Sequence, residues 1–361
     1  MTSALFEPLT VRGVTARNRI WLAPMCQYSC VEQDGVPTDW HLVHLGSHAI
    51  GGFGLLITEA TAVVPEGRIS PEDTGLWNDV QRDAWRRIVD FVHDQGAPIG
   101  IQLAHAGRKA STYAPFSEAG DGSVPASEGG WQTVAPSALA FPGYDAPRAL
   151  TTQEVAALPA AFADAARRAD EAGFDLIEIH AAHGYLLHQF LSPLSNQRSD
   201  EYGGDYDGRT RLVRDVVDAL RAVWPEDKPL AIRFSGTDWL EGGWTIEETA
   251  KLTAELTEQG VDVVDVSSGA ILPAQIPVGP GYQVPLAREV RSGSGMLTGA
   301  VGLITEPEQA ERIVADGDAD LVLLARAALR EPGWPLRAAH ELGIARKDAP
   351  YAPQYQRGAW R

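Results

Sequence analysis

Residues 151–180 read TTQEVAALPAAFADAARRADEAGFDLIEIH, and this stretch decides the fold. The hydroxyl and acid groups of Thr152-Gln153-Glu154 suit the start of a helix, where free N–H groups need acceptors. An amphipathic stretch follows, and Gly173 supplies the left-handed residue with which helices often end. The apolar run 174–180 then has the length of a buried strand. The stretch therefore predicts a helix over 151–172 that leads directly into a strand.

The same helix–glycine–strand unit recurs along the chain, because Gly96, Gly260 and Gly317 also separate a predicted helix from an apolar run. Strands are predicted at 20–24, 54–61, 98–103, 174–180, 229–234, 261–266, 296–299 and 321–324. Helices are predicted at about 39–50, 79–95, 151–172, 206–224, 245–259, 285–291, 305–316 and 334–341. This alternation predicts an α/β fold, a (β/α)8 TIM barrel formed by residues 1–361 as a single domain.

An open doubly wound sheet is the competing architecture. It more often has five or six strands and a Gly-x-Gly-x-x-Gly turn after the first strand. No such turn follows residues 20–24, so the barrel is favoured.

Two segments stand outside the regular alternation. Residues 105–150 are rich in Ser, Gly, Pro and Ala, and they are either a disordered linker or a long loop over the active-site mouth of the barrel. The tail 342–361 contains Pro350 and Pro353, which favour an extended chain rather than a ninth helix.

The composition excludes several classes of protein. The chain has 30 Lys and Arg against 48 Asp and Glu, a net charge of −18, which argues against nucleic-acid binding. It has neither a long apolar run nor a signal-peptide pattern, so we expect a cytoplasmic protein without a membrane partner. Cys26 and Cys30 are expected to be free thiols.

Polar residues follow the predicted strands, and in a barrel these positions converge on one mouth. Arg233 lies inside an apolar strand, where it must pair with an acid such as Glu59 or with a bound cofactor. Gly299-Ala300-Val301-Gly302 and Arg326 follow strands seven and eight, the positions at which this fold commonly binds phosphate.

The segment His180-Ala181-Ala182-His183-Gly184-Tyr185 allows three interpretations. The two histidines could share a metal ion with His105, Glu178 or His188, as in a metal-dependent TIM-barrel hydrolase. They could be structural. They could also donate hydrogen bonds to a substrate oxygen while Tyr185 delivers a proton.

The chain resembles the old yellow enzymes, FMN-dependent ene-reductases on a (β/α)8 barrel, and more narrowly their bacterial thermophilic-like and xenobiotic reductase subclass. The resemblance covers essentially the whole chain. It rests on Leu5-Phe6-Glu7-Pro8-Leu9, Arg17-Asn18-Arg19-Ile20, Ala23-Pro24-Met25-Cys26-Gln27-Tyr28, Gln102-Leu103-Ala104-His105-Ala106-Gly107-Arg108-Lys109, the His180–Tyr185 segment, Phe190-Leu191-Ser192-Pro193, Tyr202-Gly203-Gly204, Arg233, Thr298-Gly299-Ala300-Val301-Gly302 and Ala325-Arg326.

The resemblance implies a set of cofactors and sites. FMN is the expected cofactor, with NADPH or NADH as reductant and no metal. The residues expected to bind FMN are Pro24, Met25, Cys26, Ala60, Gln102, Arg233, Gly299, Gly302, Ala325 and Arg326. The expected substrate is an activated alkene, an α,β-unsaturated carbonyl or nitro compound.

For the reaction, the resemblance implies that His180 and His183 hold the substrate oxygen and that Tyr185 protonates the α-carbon. Tyr28, Lys109, Arg357 and Trp360 are expected to contact substrate. Arg357 and Trp360 are further expected to reach a neighbouring subunit's site in a homodimer or a tetramer built from dimers. A buried hydrophobe at Cys26, a packed aromatic at Tyr28 and a frayed tail are the alternatives.

Two departures from the family pattern bear on the site. Ala325 stands where relatives often have Gly, which would loosen a backbone contact to phosphate. The Gly120-Asp121-Gly122-Ser123 segment makes loop 105–150 longer than usual.

Overall fold

A computed structural model describes residues 3–360 and shows eight parallel strands closed into a barrel. The strands are β1 (Ile20–Leu22), β2 (Leu55–Ala62), β3 (Ile99–Ala104), β4 (Leu176–Ala181), β5 (Leu230–Ser235), β6 (Val263–Ser267), β7 (Leu297–Ala300) and β8 (Leu321–Leu324). Each strand pairs with the next along the chain, and β8 pairs with β1. All eight predicted strands and the barrel are confirmed. The outermost residues of the predicted domain and tail, Met1, Thr2 and Arg361, lie outside the described residues.

Ten α-helices surround the barrel in the described part of the chain. They are α1 (Asp39–Ile50), α2 (Asp79–Asp94), α3 (Thr152–Ala172), α4 (Leu186–Leu191), α5 (Tyr206–Arg221), α6 (Ile246–Glu258), α7 (Val284–Ser294), α8 (Pro307–Ala315), α9 (Arg326–Arg330) and α10 (Trp334–Glu341). The short helices α4 and α9 were not predicted, whereas the eight predicted helices are present.

The unit that decides the fold forms for the expected local reasons. Thr151 rather than Thr152 caps α3: its hydroxyl accepts from the Glu154 N–H, and the Glu154 carboxylate accepts from the Thr151 N–H. Gly173 ends the helix at φ +96°, a left-handed conformation that suits glycine. β4 begins three residues later.

The two ends of the barrel differ in polarity. At the N-terminal end, an antiparallel hairpin of Leu9–Val11 and Val14–Ala16 packs against apolar side chains inside the barrel, among them Trp21 and Leu323. Because this end is closed by an apolar cluster, the polar side chains of the barrel interior lie towards the C-terminal mouth.

Residues 105–150, hereafter the roof loop, are folded onto the barrel rather than forming a disordered linker. A two-residue ladder pairs Val134–Ala135 with Arg148–Ala149. Side chains also attach the roof loop to the barrel through main-chain oxygens. Arg198 Nη1 donates to the carbonyl of Pro136 in the loop (2.9 Å), and Arg108 Nη2 of the loop donates to the carbonyl of Ile271, which follows β6 (2.7 Å).

The tail differs from the prediction in its last part. Residues Pro353–Gly358 form a 3₁₀ helix instead of an extended chain. The fixed φ of proline also suits the first position of a helical turn, which is where Pro353 lies. The Trp360 ring stacks on His340 of α10, with centroids 5.4 Å apart.

The helices in the described part of the chain are too short or too polar for a membrane span. Within residues 3–360, none combines the length and the hydropathy that crossing a bilayer requires.

Candidate active site

The structure brings His180, His183 and Tyr185 together at the mouth of the barrel. The ring centroid of His180 lies 5.2 Å from that of His183 and 5.0 Å from that of Tyr185, both edge to face. His180 belongs to β4, whereas His183 and Tyr185 lie in the turn that leads to α4. The spacing in the sequence therefore produces the predicted cluster.

The turn has an unusual backbone. His183 and Gly184 are both left-handed, with φ of +60° and +73°. A Cβ on Gly184 would lie 2.3 Å from the carbonyl oxygen of Ala270, so no other residue fits there without a shift of the main chain.

Both histidines are neutral, and each has one ring nitrogen without a partner in the described part of the chain. Burial, followed by the charge of Arg233, holds the pKa of His180 and of His183 well below the usual range. Nδ1 of His180 accepts from the Ala182 N–H (3.4 Å), so the ring proton is on Nε2. Nε2 of His183 lies 2.7 Å from Ser267 Oγ. Neither His180 Nε2 nor His183 Nδ1 has a hydrogen-bond partner within residues 3–360, so both remain available to a ligand.

Tyr185 keeps its proton. Burial raises the pKa of its phenol well above the ordinary value, and the nearby Cys26 and Asp73 add to the effect. Lys109 Nζ lies 5.2 Å from the centroid of the Tyr185 ring and donates to the carbonyls of His183 (2.8 Å) and Ala270 (3.2 Å). A cation is thus held beside the phenol.

A row of buried polar side chains crosses four neighbouring strands below these residues. Gln102 of β3 donates to Glu178 of β4 (2.7 Å), and Arg233 of β5 lies 2.9 Å from Asp265 of β6. Burial raises the pKa of both carboxyl groups, most clearly that of Glu178, which the charge of Asp265 raises further. Arg233 lowers both and so keeps negative charge in the row.

Arg233 does pair with an acid, as one alternative held, but that acid is Asp265 and not Glu59. Glu59 instead lies 3.1 Å from His41 Nε2 and accepts from the Gln27 N–H (2.8 Å). In the described part of the chain, the two terminal nitrogens of Arg233 make no hydrogen bond. These donors fit an electron-rich ligand edge.

A cavity of about 160 Å³ lies where the phosphate site was predicted. Gly302, Ala325 and Arg326 line it. Among residues 3–360, no acceptor receives the N–H of Gly302 or Ala325, and no acid pairs with Arg326. Gly302 has φ +114°, and a Cβ there would lie 2.7 Å from Gln283 Nε2. These free donors fit a phosphate group.

Gly299 has a different reason to be glycine. A Cβ at this position would lie 2.5 Å from the Leu323 side chain and 3.0 Å from that of Leu321. Its direct role is therefore packing between β7 and β8, and its binding of cofactor stays a prediction.

Residues from the first two strands form the apolar side of the site. Ala60 is buried in one cluster with Cys26, Tyr28 and Tyr185. Met25 packs against the main core, and Pro24 precedes it at the end of β1. Burial raises the pKa of the Cys26 thiol, which therefore stays protonated. The Tyr28 ring meets Phe116 of the roof loop edge to face at 5.9 Å.

Arg357 and Trp360 are not brought to this site by their own chain. The 3₁₀ helix carries Arg357 on the surface, and Trp360 contacts His340. No contact within residues 3–360 joins either residue to the mouth.

The metal-hydrolase alternative finds no support in the structure. Within residues 3–360, no three His, Cys, Asp or Glu side chains lie in a metal-binding group. His188, one of the ligands considered, instead lies 2.9 Å from Asp238.

Several functional residues were missed by the sequence analysis. Asp265, Ser235, Ser267 and Gln283 all contribute polar contacts around the mouth. Asp265 carried a usable signal, because an acid inside the apolar run Val263-Val264-Asp265-Val266 is as anomalous as Arg233. The sequence gives no comparable indication of a role for Ser235, Ser267 or Gln283.

Known proteins share both this sequence and this fold. The chain is 48% identical over 362 residues to an NADPH dehydrogenase of Geobacillus sp. (strain WCH70), with 100% of both chains covered. The structure of an old yellow enzyme homologue from Zymomonas mobilis matches with a TM-score of 0.79 at 29% identity, covering 99% of each chain. Morphinone reductase in complex with tetrahydroNAD matches with a TM-score of 0.78 at 29% identity, covering 94% of this chain and 91% of that one.

One family description covers nearly all of the chain. The NADH:flavin oxidoreductase / NADH oxidase family matches residues 4–344. The residues at the mouth fit this match, since the free donors at Gly302, Ala325 and Arg326 suit the phosphate of FMN and Arg233 suits its ring. The chain therefore belongs to the NADH:flavin oxidoreductase / NADH oxidase family, and it is a nicotinamide-dependent FMN oxidoreductase of the old yellow enzyme type.

Proposed function

We propose that the enzyme reduces the C=C bond of α,β-unsaturated carbonyl or nitro compounds. The observation that carries the proposal is the cluster of two neutral histidine donors and one protonated tyrosine at a single mouth. FMN, held by the free donors at Gly302, Ala325, Arg326 and Arg233, would supply the hydride chemistry that links NADPH or NADH to the alkene β-carbon. The protein must then stabilise charge on the substrate oxygen and protonate the α-carbon.

His180 and His183 meet the first requirement. Their free ring nitrogens can donate to one carbonyl or nitro oxygen, and these hydrogen bonds strengthen as negative charge develops on it. Because burial keeps both rings neutral, the site retains donors without a fixed positive charge that would bind the starting compound equally well.

Tyr185 meets the second requirement. Its phenol is protonated at all ordinary pH values, and its ring lies against His180, next to the oxygen that the histidines hold. Delivery of the proton leaves negative charge on the phenol oxygen, and the Lys109 ammonium is the nearby cation that stabilises it.

Isotope labelling tests the proposal. An enone reduced with NADPH in D₂O should gain one deuterium at the α-carbon and none at the β-carbon, because Tyr185 exchanges its proton with solvent. A simple alkene without an electron-withdrawing oxygen is the control and should not react. If the enone is not consumed by enzyme that NADPH reduces, the chain is not an ene-reductase.

Lys109 should give alkene reduction a dependence on pH. Burial, with a smaller contribution from Arg108, lowers the pKa of its ammonium to about 8. We expect the rate of alkene reduction to fall as pH rises through about 8, since the cation beside Tyr185 is then lost. In Lys109→Met the rate at pH 7 should fall about tenfold, the effect of one pKa unit. The decrease in rate above about pH 8 should disappear in this variant. If the rate in Lys109→Met still falls over the same pH range, the titrating group is not Lys109.

The tail completes the proposed function as a contact between subunits of a homodimer. Its aromatic residues are exposed, Tyr355 by 55% and Trp360 by 47%, and Trp40 and Val43 of α1 are also exposed, by 57% and 66%. Large exposed apolar side chains of this kind are typical of an interface. Arg357 is free to enter a partner's mouth because nothing in its own chain's described contacts holds its guanidinium.

Deletion of residues 355–361 should weaken substrate binding and disturb the dimer, while FMN stays bound. Complementation gives the sharper test. Mixed dimers of Tyr185→Phe and tail-deleted protomers should regain activity, because one site then combines Tyr185 with a borrowed Arg357. Verified mixed dimers without activity, or a deletion variant with the wild-type KM, would show that the tail has no part in catalysis.

A further inference from the structure

The turn formed by residues 183–185, hereafter the donor turn, has a partner for each of its backbone polar groups. The six contacts are His183 N–H to Ser235 Oγ (2.9 Å), Lys109 Nζ to His183 O (2.8 Å), Gly184 N–H to His188 Nδ1 (2.8 Å), Gln189 Nε2 to Gly184 O (2.7 Å), Tyr185 N–H to Ala182 O (3.2 Å) and Gln189 N–H to Tyr185 O (2.8 Å).

One of these partners, His188 on α4, is itself held by a buried acid. Its Nδ1 accepts from the Gly184 N–H, so the proton of the neutral ring is on Nε2. Nε2 lies 2.9 Å from Asp238 Oδ1, and both side chains are fully buried. Within residues 3–360, neither atom has another polar partner.

The other oxygen of Asp238 is also committed. Oδ2 accepts from Ser192 Oγ (2.6 Å) and from the Trp244 N–H (2.7 Å). Although burial raises the pKa of Asp238, its contact with His188 and its hydrogen bonds from Ser192 and Trp244 outweigh burial, so the pKa is lowered. A carboxylate that only accepts on both sides fixes the proton of His188 on Nε2 and leaves Nδ1 free to accept.

We propose that His188 and Asp238 are positioning residues, which hold the donor turn so that the Tyr185 phenol and the His183 ring face the substrate together. The proposal rests on the function proposed for Tyr185 above. Neither residue touches the substrate: His188 acts through the Gly184 N–H, and Asp238 acts through the tautomer of His188.

Two substitutions at position 188 separate the acceptor from the rest of the ring. In His188→Asn, the amide oxygen can take the place of Nδ1, since both are bonded to Cγ, so the Gly184 contact survives while the link to Asp238 is lost. In His188→Leu, a side chain of comparable branching has no acceptor. We expect His188→Leu to slow alkene reduction on the order of 10- to 100-fold, the cost of a small misplacement of reacting groups. His188→Asn should keep most of the wild-type rate.

Asp238→Asn tests the tautomer. The Trp244 N–H can only donate, so the new amide must turn its oxygen towards Trp244 and its NH₂ towards His188. Nε2 must then accept, the ring proton moves to Nδ1, and Nδ1–H opposes the Gly184 N–H. Alkene reduction should fall as in His188→Leu, and the double variant with His188→Asn should regain much of the rate because its acceptor no longer depends on Asp238.

Three measurements on the FMN-loaded enzyme decide between positioning and a purely structural role. Amide hydrogen exchange of the peptide that contains the donor turn should accelerate in His188→Leu and Asp238→Asn but not in His188→Asn. The rate of alkene reduction should follow exchange rather than Tm. Val290→Ala, a buried truncation on α7, is the control that lowers Tm without changing either.

The third measurement is a double-mutant cycle with Tyr185→Phe. If Asp238 acts by placing Tyr185, Asp238→Asn should cost much less in that background. Equal exchange and equal rates in His188→Leu and His188→Asn would overturn the proposal, as would a full additive loss in the cycle. A Tyr185→Phe variant with an unchanged alkene rate would instead refute the proposed proton donor, and hydrogen exchange would still test the hold on the donor turn.

Discussion

Replacing Tyr185 with phenylalanine is expected to slow alkene reduction on the order of 10²- to 10⁴-fold, the usual contribution of a positioned general acid. Enzyme reduction by NADPH should stay near the wild-type rate, because that step needs no proton from the phenol. FMN content should be unchanged, since the Tyr185 hydroxyl makes no hydrogen bond within the described residues and its ring packing survives in phenylalanine.

Stopped-flow measurement of the two half-reactions is the appropriate test. Tyr28→Phe is a matched control, because Tyr28 is a second tyrosine of the same apolar cluster whose pKa burial also raises. It should affect binding of the alkene more than proton delivery. Equal losses in the two half-reactions of Tyr185→Phe would show that Tyr185 is not a selective proton donor.

Arg233→Ala should have the second large effect, loss of FMN or a markedly lower reduction potential. The substitution removes the cation with free terminal nitrogens and leaves Asp265 and Glu178 as buried acids without it. Breaking a buried ion pair in this way typically costs about 3–5 kcal/mol of unfolding free energy. Because Arg233 lowers the pKa of both acids, their pKa values should rise further in the variant. The loss of stability relative to the wild type should therefore grow as pH rises through about 6 and about 8, the pKa values of Asp265 and Glu178, and should shrink at lower pH, where both acids are already protonated in the wild type.

A second variant separates the two roles of Arg233. Arg233→Ala combined with Asp265→Asn removes the stranded charge and should recover much of the stability, but neither FMN affinity nor potential. Redox titration and denaturant unfolding of both variants supply the comparison. Full FMN occupancy at the wild-type potential in Arg233→Ala would reduce Arg233 to a structural ion-pair partner.

The regular elements were predictable because each carries its own local signal. Gly96, Gly173, Gly260 and Gly317 all adopt the left-handed conformation expected of them, at the end of helices that lead into strands. The helix α4 was missed because its six residues are all buried, so no amphipathic period marks it. The five residues of α9 are similarly too few to show one.

The site could be predicted only from residues whose charge does not suit the apolar sequence around them. Arg233 could be singled out as a charge in an apolar strand, but its partner depends on which strands are neighbours and in what register, and Asp265 lies opposite it across the β5–β6 pair. The His188–Asp238 contact joins α4 to the segment after β5, and nothing in either sequence reveals it. The sequence shows that His188 and Asp238 are present, but it does not show that they pair.

The attachment of the roof loop has a consequence for how such an enzyme diversifies. Arg198 donates to the carbonyl of Pro136 in the roof loop, and Arg108 and Trp131 of the loop donate to the carbonyls of Ile271 and Glu66. Every amino acid offers the same main-chain acceptor, so a mutation at Ile271 or Glu66 changes a side chain without removing the hydrogen bond that holds the loop. Evolution, or a mutant library confined to these positions, can therefore vary the side chains around the roof loop while its attachment to the barrel is kept.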